Sequence, residues 1–270
     1  MEKNKLFRSL AKRFPKSIAS RGDRIGLMTG KLPDNINHIL LCLDFDEEVL
    51  NMVKKMDKKP DLILTHHPFI YGTRARILKY NEVKRYVCEE IDKMGIPVYS
   101  MHTNFDSGVG GMNDALAEAL KLKNIKRLET VFMARGGELE KEMEIHEFAS
   151  YANKCLGLEY SHLINGGTKR IKKVAIVGGA GSREIHSVMK EGYDIFLSGD
   201  IPHHARREVL NYHYNFLDVS HEIERIFMPQ MKKLLLEIDP TLKVEIIDHE
   251  VIPELIKYFI FNFAYNFFRS

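Results

Sequence analysis

Cysteine is scarce in this 270-residue chain: Cys42, Cys88 and Cys155 lie far apart, and no CxxC pair occurs. That spacing excludes a thiolate zinc site and an even disulfide framework, and it fits a reducing compartment. Excess charge of one sign is also missing. Forty Lys and Arg against 37 Asp and Glu leave +3, too near balance for a dedicated nucleic-acid binder. Long apolar runs are absent as well. The opening MEKNKLFRSLAKRF is basic and broken by charges, without the apolar core of a secretory signal. The aromatic tail Val251–Ser270 is interrupted by Glu254, Lys257, Asn262 and Asn266, whereas a bilayer span needs about 20 mostly apolar residues. We expect this tail to form a helix packed on its own domain or on a neighbouring subunit. The chain reads as cytoplasmic, with no membrane span. There is no GxSxG elbow, no GxGxxG, no P-loop lysine and no short-period repeat. What is present is 44% hydrophobic and 29% charged, the balance of a folded chain with a real core.

Short apolar runs alternate with amphipathic stretches. HILLCLDF (38–45), DLILTHHPF (61–69) and PVYSMHTNF (97–105) read as strands. DEEVLNMVKKM, NEVKRYVCEEIDKMG and MNDALAEALKL follow them as helices, the second closed by Gly95. This order predicts an α/β domain with a largely parallel sheet. After Leu122 the pattern changes to a charged strand, TVFMARGGELEKE, and a helix, EIHEFASYANKCLG. KKVAIVGG (172–179) then restarts the strand–helix alternation, followed by SREIHSVMKEG, DIFLSGD and NYHYNFLDVSH. We therefore expect two α/β domains with mixed or mostly parallel sheets, the second inserted in the first. Residues 1–124 and 216–270 form one, and 125–215 the other.

Three motifs sit at carboxyl ends of predicted strands, where open α/β sheets bind ligands. THHP supplies His66 and His67. Neighbours in a strand face opposite ways, but at a strand-to-loop break two imidazoles diverge enough to serve two nearby ions. Pro68 holds His67 extended. Alone, the pair reads equally as surface or capping histidines. HTNFD supplies His102 and Asp106, although Asp106-Ser107 before a glycine turn also reads as a helix N-cap. DVSHEIE supplies His221 and Glu224 at i and i+3, one face of a helix, with Glu222 turned away. Its bland alternative is a solvated helix start. Taken together, five or six nitrogen and oxygen ligands without sulfur suit two divalent ions such as zinc, iron, manganese or cobalt. Such ions, about 3.5–4 Å apart, acidify a water and clamp both oxygens of a hydrolytic transition state.

Weaker candidates remain. VGGAGSRE (177–184) reads as an anion seat at a helix start or as a plain tight turn. Asp200, His203 and His204 in SGDIPHHARRE read as cleft-facing groups or as surface caps. His38, His146, His162, His186, His213 and His249 read as structural.

In order and context these motifs resemble the GTP cyclohydrolase 1 type 2 homologues, the NIF-like dinuclear metal-binding proteins. The resemblance runs from GDRIGLMTG (22–30), through LCLDFDEEVLNMV, DLILTHHPFIY, HTNFDSGVGGMNDALAEAL, VAIVGGAGS and SGDIPHH, to DVSHEIE. It departs from the family in lacking the tryptophan of the opening signature and in carrying Arg24 there. Many members also place the last carboxylate four residues after the histidine, where this chain has Arg225. The resemblance implies two metal ions held by His66, His67, Asp106, His221 and Glu224. His102 would be a further ligand, or a group behind the ligands that shuttles protons, a part His203 could also take. It further implies two-domain chains assembled as homohexameric rings around a central cavity. Some members carry a large extra domain in the middle, for which 270 residues leave no room. The reading is then a metal-dependent hydrolase for a nucleotide-like small molecule. Its alternative is a non-catalytic metal-binding regulatory or scaffold oligomer, and nucleic acid is not an expected partner.

Overall fold

A computed structural model of the chain describes residues 1–256. Eleven strands occur among them: β1 (Gly26–Thr29), β2 (His38–Cys42), β3 (Leu62–Thr65), β4 (Val98–Ser100), β5 (Lys123–Arg127), β6 (Arg135–Glu144), β7 (His162–Asn165), β8 (Arg170–Ile176), β9 (Ile195–Ser198), β10 (Asn215–Asp218) and β11 (Lys243–Ile246). The α-helices are α1 (Lys3–Arg13), α2 (Glu47–Lys55), α3 (Arg74–Tyr80), α4 (Glu82–Met94), α5 (Thr103–Ser107), α6 (Met112–Ala119), α7 (Ile145–Leu156), α8 (Ile185–Lys190), α9 (His203–Asn211) and α10 (Phe227–Ile238).

The strands form two sheets. The first runs β1-β4-β3-β2-β11, parallel except at β1; the second runs β5-β6-β8-β9-β10-β7 and is mixed, with a parallel β8-β9-β10 centre. Because β11 returns to the first sheet, the second α/β domain is inserted in the first. Strand β10 belongs to the second sheet, and the next strand, β11, pairs with β2 of the first.

Alternation along the strands explains the layering. In β2, Ile39 and Leu41 face a central core, while Leu40 and Cys42 face an outer one with α2 and α4. In β8 and β9, Val174, Ile176, Ile195 and Leu197 face the same central core, while Ala175 and Phe196 face α8 and α9. The central core holds α6, α7 and α10 with the inner faces of both sheets, through Leu116, Phe148, Phe227 and Met231. Each such side chain contributes about 1.5–3 kcal/mol by leaving water. Two buried faces per strand are why β2 and β3 read as unbroken apolar runs.

Local chemistry sets the ends of these elements. Asp46 caps α2 by accepting from Val49 N at 3.0 Å, and Gly95 closes α4 at φ +67°. The predicted strand 97–105 is cut to Val98–Ser100, and α5 takes up the HTNFD segment. The expected tail helix is not formed over residues 251–256, which carry no regular element; the rest of that expectation lies outside the described residues. No helix among the described residues is long and apolar enough to cross a membrane.

Candidate metal centre

The two parallel sheet centres aim their carboxyl ends at one point. There β3 delivers His66 and His67, the loop after β4 delivers His102, α5 delivers Asp106, and the turn after β10 delivers His221 and Glu224. All six sequence-derived residues meet. Ring centroids of His66 and His67 are 5.0 Å apart, those of His66 and His102 also 5.0 Å, and those of His67 and His221 5.4 Å. His66, buried throughout, lies with its Nε2 3.6 Å from both Asp106 Oδ1 and Glu224 Oε2. Glu224 Oε2 also reaches His67 Nε2 at 2.8 Å and His221 Nε2 at 3.1 Å.

Two adjacent imidazoles share this centre because the strand breaks there. The N–H groups of His66 and His67 both donate to Leu43 O, at 3.2 and 3.0 Å, which ends the alternation of β3. The hydroxyls of Thr65 and Ser100 then hold the His67 carbonyl, at 2.8 and 2.6 Å.

His221 and Glu224 meet for a different reason. Residues 221–226 form a 3₁₀ helix, not the α-helix that the spacing predicted. With about three residues per turn, side chains at i and i+3 eclipse, which brings the carboxylate under the imidazole. Arg225, one place further on, turns away and donates to Asp248 and the Glu250 carbonyl. Glu222 is bonded to Ser220, clear of the centre.

Every histidine of the cluster is held from behind. Nδ1 of His66 meets Met101 O at 3.0 Å, and that of His67 meets Asp44 Oδ2 at 2.7 Å. Nδ1 of His102 meets Asp23 at 2.9 Å, and that of His221 meets Asp200 Oδ2 at 2.5 Å. Carbonyls and carboxylates only accept, so each Nδ1 carries a proton and each neutral ring leaves an Nε2 lone pair. In metal sites such partners fix ring orientation and raise ligand basicity. Asp23 is itself secured by bonds from the Thr103 N–H and hydroxyl.

The electrostatics follow this packing. Burial pushes the His66 imidazole well down, while burial and the charge of Glu224 push the Asp106 carboxyl up. Burial would lower His67 too, but the bonds to Asp44 and Glu224 outweigh it and raise it to about 10. Glu224 and then Asp200 lift His221 to about 9. For Glu224, three surrounding imidazoles overcome desolvation and hold the carboxyl well below its usual range.

Divalent metal suits this donor set. His66 Nε2 and Asp106 Oδ1 are buried without a hydrogen-bond partner, a costly arrangement unless something sits between them. Ligand atoms of His66, His67 and His102 lie within 4.8 Å of one another, as do those of His67, His221 and Glu224. Nitrogen and oxygen donors without sulfur fit first-row divalent ions.

Several expectations need revision. Asp106 lies within the short helix α5, and Gly111 occupies the N-cap position of α6, so the capping alternative for Asp106 fails. His203 and His204 are exposed at the start of α9 and are not among the grouped ligand residues. The 178–179 turn backs Glu224: Gly179 adopts φ +64°, and a Cβ there would collide with Glu224 Oε1. Three histidines read as structural do have partners, His38 with Glu245, His162 with Asp218 and His249 with Asp46. Asp23 and Asp44 were missed, although Asp44 follows strand β2 just as His66 follows β3.

Comparison with known proteins gives the family and the fold. A family model described as Duf34/NIF3 (NGG1p interacting factor 3) matches residues 1–254. A GTP cyclohydrolase 1 type 2 homolog of Clostridium perfringens is 34% identical over 213 residues, covering 77% of this chain and 80% of that protein. One from Lactococcus lactis is 28% identical over 85% of this chain and 90% of its own length. Among solved structures, a Bacillus cereus protein related to NIF3 superposes with a TM-score of 0.82 at 19% identity, covering 96% of this chain and 99% of that one. Reduced HcgD from Methanocaldococcus jannaschii superposes with a TM-score of 0.76 at 26% identity, covering 91% and 97%.

Proposed function

Because this chain belongs to the Duf34/NIF3 family, we propose that it is a dinuclear metal-dependent hydrolase acting on a nucleotide-like small molecule. The observation that carries the reading is the convergence of the Nε2 atoms of His66, His67 and His221 on the buried Glu224, with His66 Nε2 and Asp106 Oδ1 side by side and unpartnered. His66, His67, Asp106, His221 and Glu224 would hold the ions, with Glu224 Oε2, central to three imidazoles, as the shared carboxylate. Bound divalent ions would supply Lewis acidity and an acidified water. The chain's own groups do the rest. Asp44, Asp23, Asp200 and the Met101 carbonyl fix the imidazoles. His102, partly open to solvent and backed by Asp23, holds and moves the proton at Nε2. The substrate's nucleotide character rests on the names of the relatives.

The two-domain division of residues 1–124 with 216–270 and 125–215 belongs to the same reading, with the second boundary moved past Asp218. So do assembly as a homohexameric ring and a cytoplasmic setting, which suits three free cysteines.

The test is metal content followed by turnover. Zinc, iron, manganese and cobalt are assayed in the purified protein, with about two equivalents per chain expected. The loaded protein is then offered GTP and a panel of nucleotides and phosphoesters. Turnover that disappears in His67→Ala, with the oligomer intact on light scattering, supports the hydrolase. Bound metal with no turnover on any member of the panel supports a metal-binding scaffold instead.

A further inference from the structure

The two buried carboxylates of the centre come from opposite sheets, and one amide side chain spans them. Asn113, fully buried on the first turn of α6, donates through Nδ2 to Asp106 O at 3.3 Å and to Met133 O at 3.1 Å. Its Oδ1 accepts from Gly178 N at 2.7 Å. Gly178 precedes Gly179, whose backbone packs against the Glu224 carboxylate so closely that no Cβ fits. A single planar group therefore ties the backbone at Asp106 to the turn that backs Glu224.

The neighbouring residues stiffen the same span. Asp114 takes a bidentate pair from the buried Arg135 of the second sheet, at 2.7 and 3.0 Å, and also accepts from Gly110 N at 2.8 Å. Arg135 Nη2 donates further to Ser107 O and Gly108 O, both at 3.1 Å, just after Asp106. Asparagine is a poor helix former, and a buried amide is costly unless satisfied. Here both its oxygen and its nitrogen are used, between elements remote in sequence. Hydrophobic packing alone would be met by a leucine at this position.

We propose that Asn113 is a positioning residue that sets the separation between Asp106 and Glu224, and so governs occupancy of the Asp106 side of the centre. This rests on the dinuclear reading above. Removing the amide frees Asp106 and the 178–179 turn to drift independently, while His67, His221 and Glu224 keep their mutual contacts. The effect is therefore selective, in contrast to a general loss of stability.

The test uses the full-length protein stripped with chelator and titrated with Mn(II), read by calorimetry and electron paramagnetic resonance. Wild type is expected to take up two ions with an exchange-coupled spectrum. Asn113→Ala is expected to hold one ion at near wild-type affinity and the second roughly 10–100-fold more weakly, the usual cost of losing a group behind a ligand. At one equivalent its spectrum should be that of an isolated Mn(II). Ile91→Ala, which creates a cavity in the outer core between α4 and the first sheet, controls for destabilisation and should leave both affinities unchanged. If Asn113→Ala does not fold, Asn113→Ser, which keeps a polar group but is too short to reach Gly178, Asp106 or Met133, is read the same way. Two ions bound with wild-type affinity and unchanged coupling in the folded variant would overturn the proposal while leaving the dinuclear reading intact. A wild type that binds no ion would overturn both.

Discussion

Asp44 Oδ2 and Glu224 Oε2 grip the two nitrogens of His67 from opposite sides, at 2.7 Å from Nδ1 and 2.8 Å from Nε2. The ring is clamped between a half-exposed carboxylate and a buried one. Only the buried contact faces the centre, so Asp44 serves as orienter and Glu224 as the group that a metal would share.

This clamp makes metal binding and proton release one event. His67 is raised to about 10 and His221 to about 9, so chelator-treated protein holds both as imidazolium at neutral pH. A cation can bind their Nε2 atoms only after those protons leave. Calorimetric titration with zinc at pH 7 in two buffers of different ionisation enthalpy should therefore report net proton release. Apparent affinity should rise from pH 7 to 9. Equal heats in both buffers would contradict the assignment.

The same shifts set the stability of the metal-free protein. A histidine whose folded pKa is raised stabilises fully below its unfolded value near 6.5, and that stabilisation is lost as pH rises through the folded value. For His67 and His221 the window of loss runs from about 6.5 to about 10. Thermal unfolding of chelator-treated protein should thus move to lower temperature between pH 7 and pH 10. Saturating zinc should flatten the dependence, because bound nitrogens no longer titrate. A melting temperature that rises with pH in the stripped protein would reverse the sign of this account.

Asp44→Asn tests the orienting carboxylate. The amide keeps the shape of Asp44 but removes the charge that supports the ring, and the fold should survive because the side chain is half exposed. Metal affinity should fall roughly 10–100-fold. An unchanged zinc titration would reduce the clamp to a surface ion pair.

His102→Ala separates the proton carrier from the ligand. If His102 moves protons, both ions stay bound and turnover falls by roughly 10²–10⁴. If it is a ligand, as its closeness to His66 and His67 permits, one ion is lost with the activity. Elemental analysis of the purified variant decides between them.

The strongest signals in the sequence were those that physics makes local. β2 and β3 are apolar on both faces, and α4 carries its own cap and its closing glycine, so all three were legible. β5 and β7 were not: KNIKR and HLIN lie at sheet edges and show little apolar periodicity. Helix α1 was masked by its charges, although Leu6 and Leu10 are buried. At the centre, the ligand-type residues followed from one rule, polar residues just past predicted parallel strands. Asp44 obeys that rule and was overlooked because no histidine accompanies it in sequence. Asp23 obeys none, since its partner His102 is 79 positions away. The contacts of Asn113 are equally illegible, because its bonds run to backbone atoms of α5 and of two distant loops.

The i+3 spacing of His221 and Glu224 carries the last prediction. In an α-helix, with about 3.6 residues per turn, i+3 and i+4 both lie near one face, and a carboxylate at Arg225 would serve. In the 3₁₀ turn observed, position i+4 points away from the imidazole, and Arg225 is occupied with Asp248 and Glu250. Glu224→Gln should remove the carboxylate shared by His66, His67 and His221 and weaken both ions. Adding Arg225→Glu restores the i+4 pattern in sequence, yet it should not restore binding, because the new carboxylate faces the Asp248–Glu250 segment and its negative charges. Zinc titration of the single and double variants reads this directly. Recovery of wild-type affinity in the double variant would mean that the turn can relax to an α-helix, and that the spacing in this chain is incidental to how it holds the carboxylate.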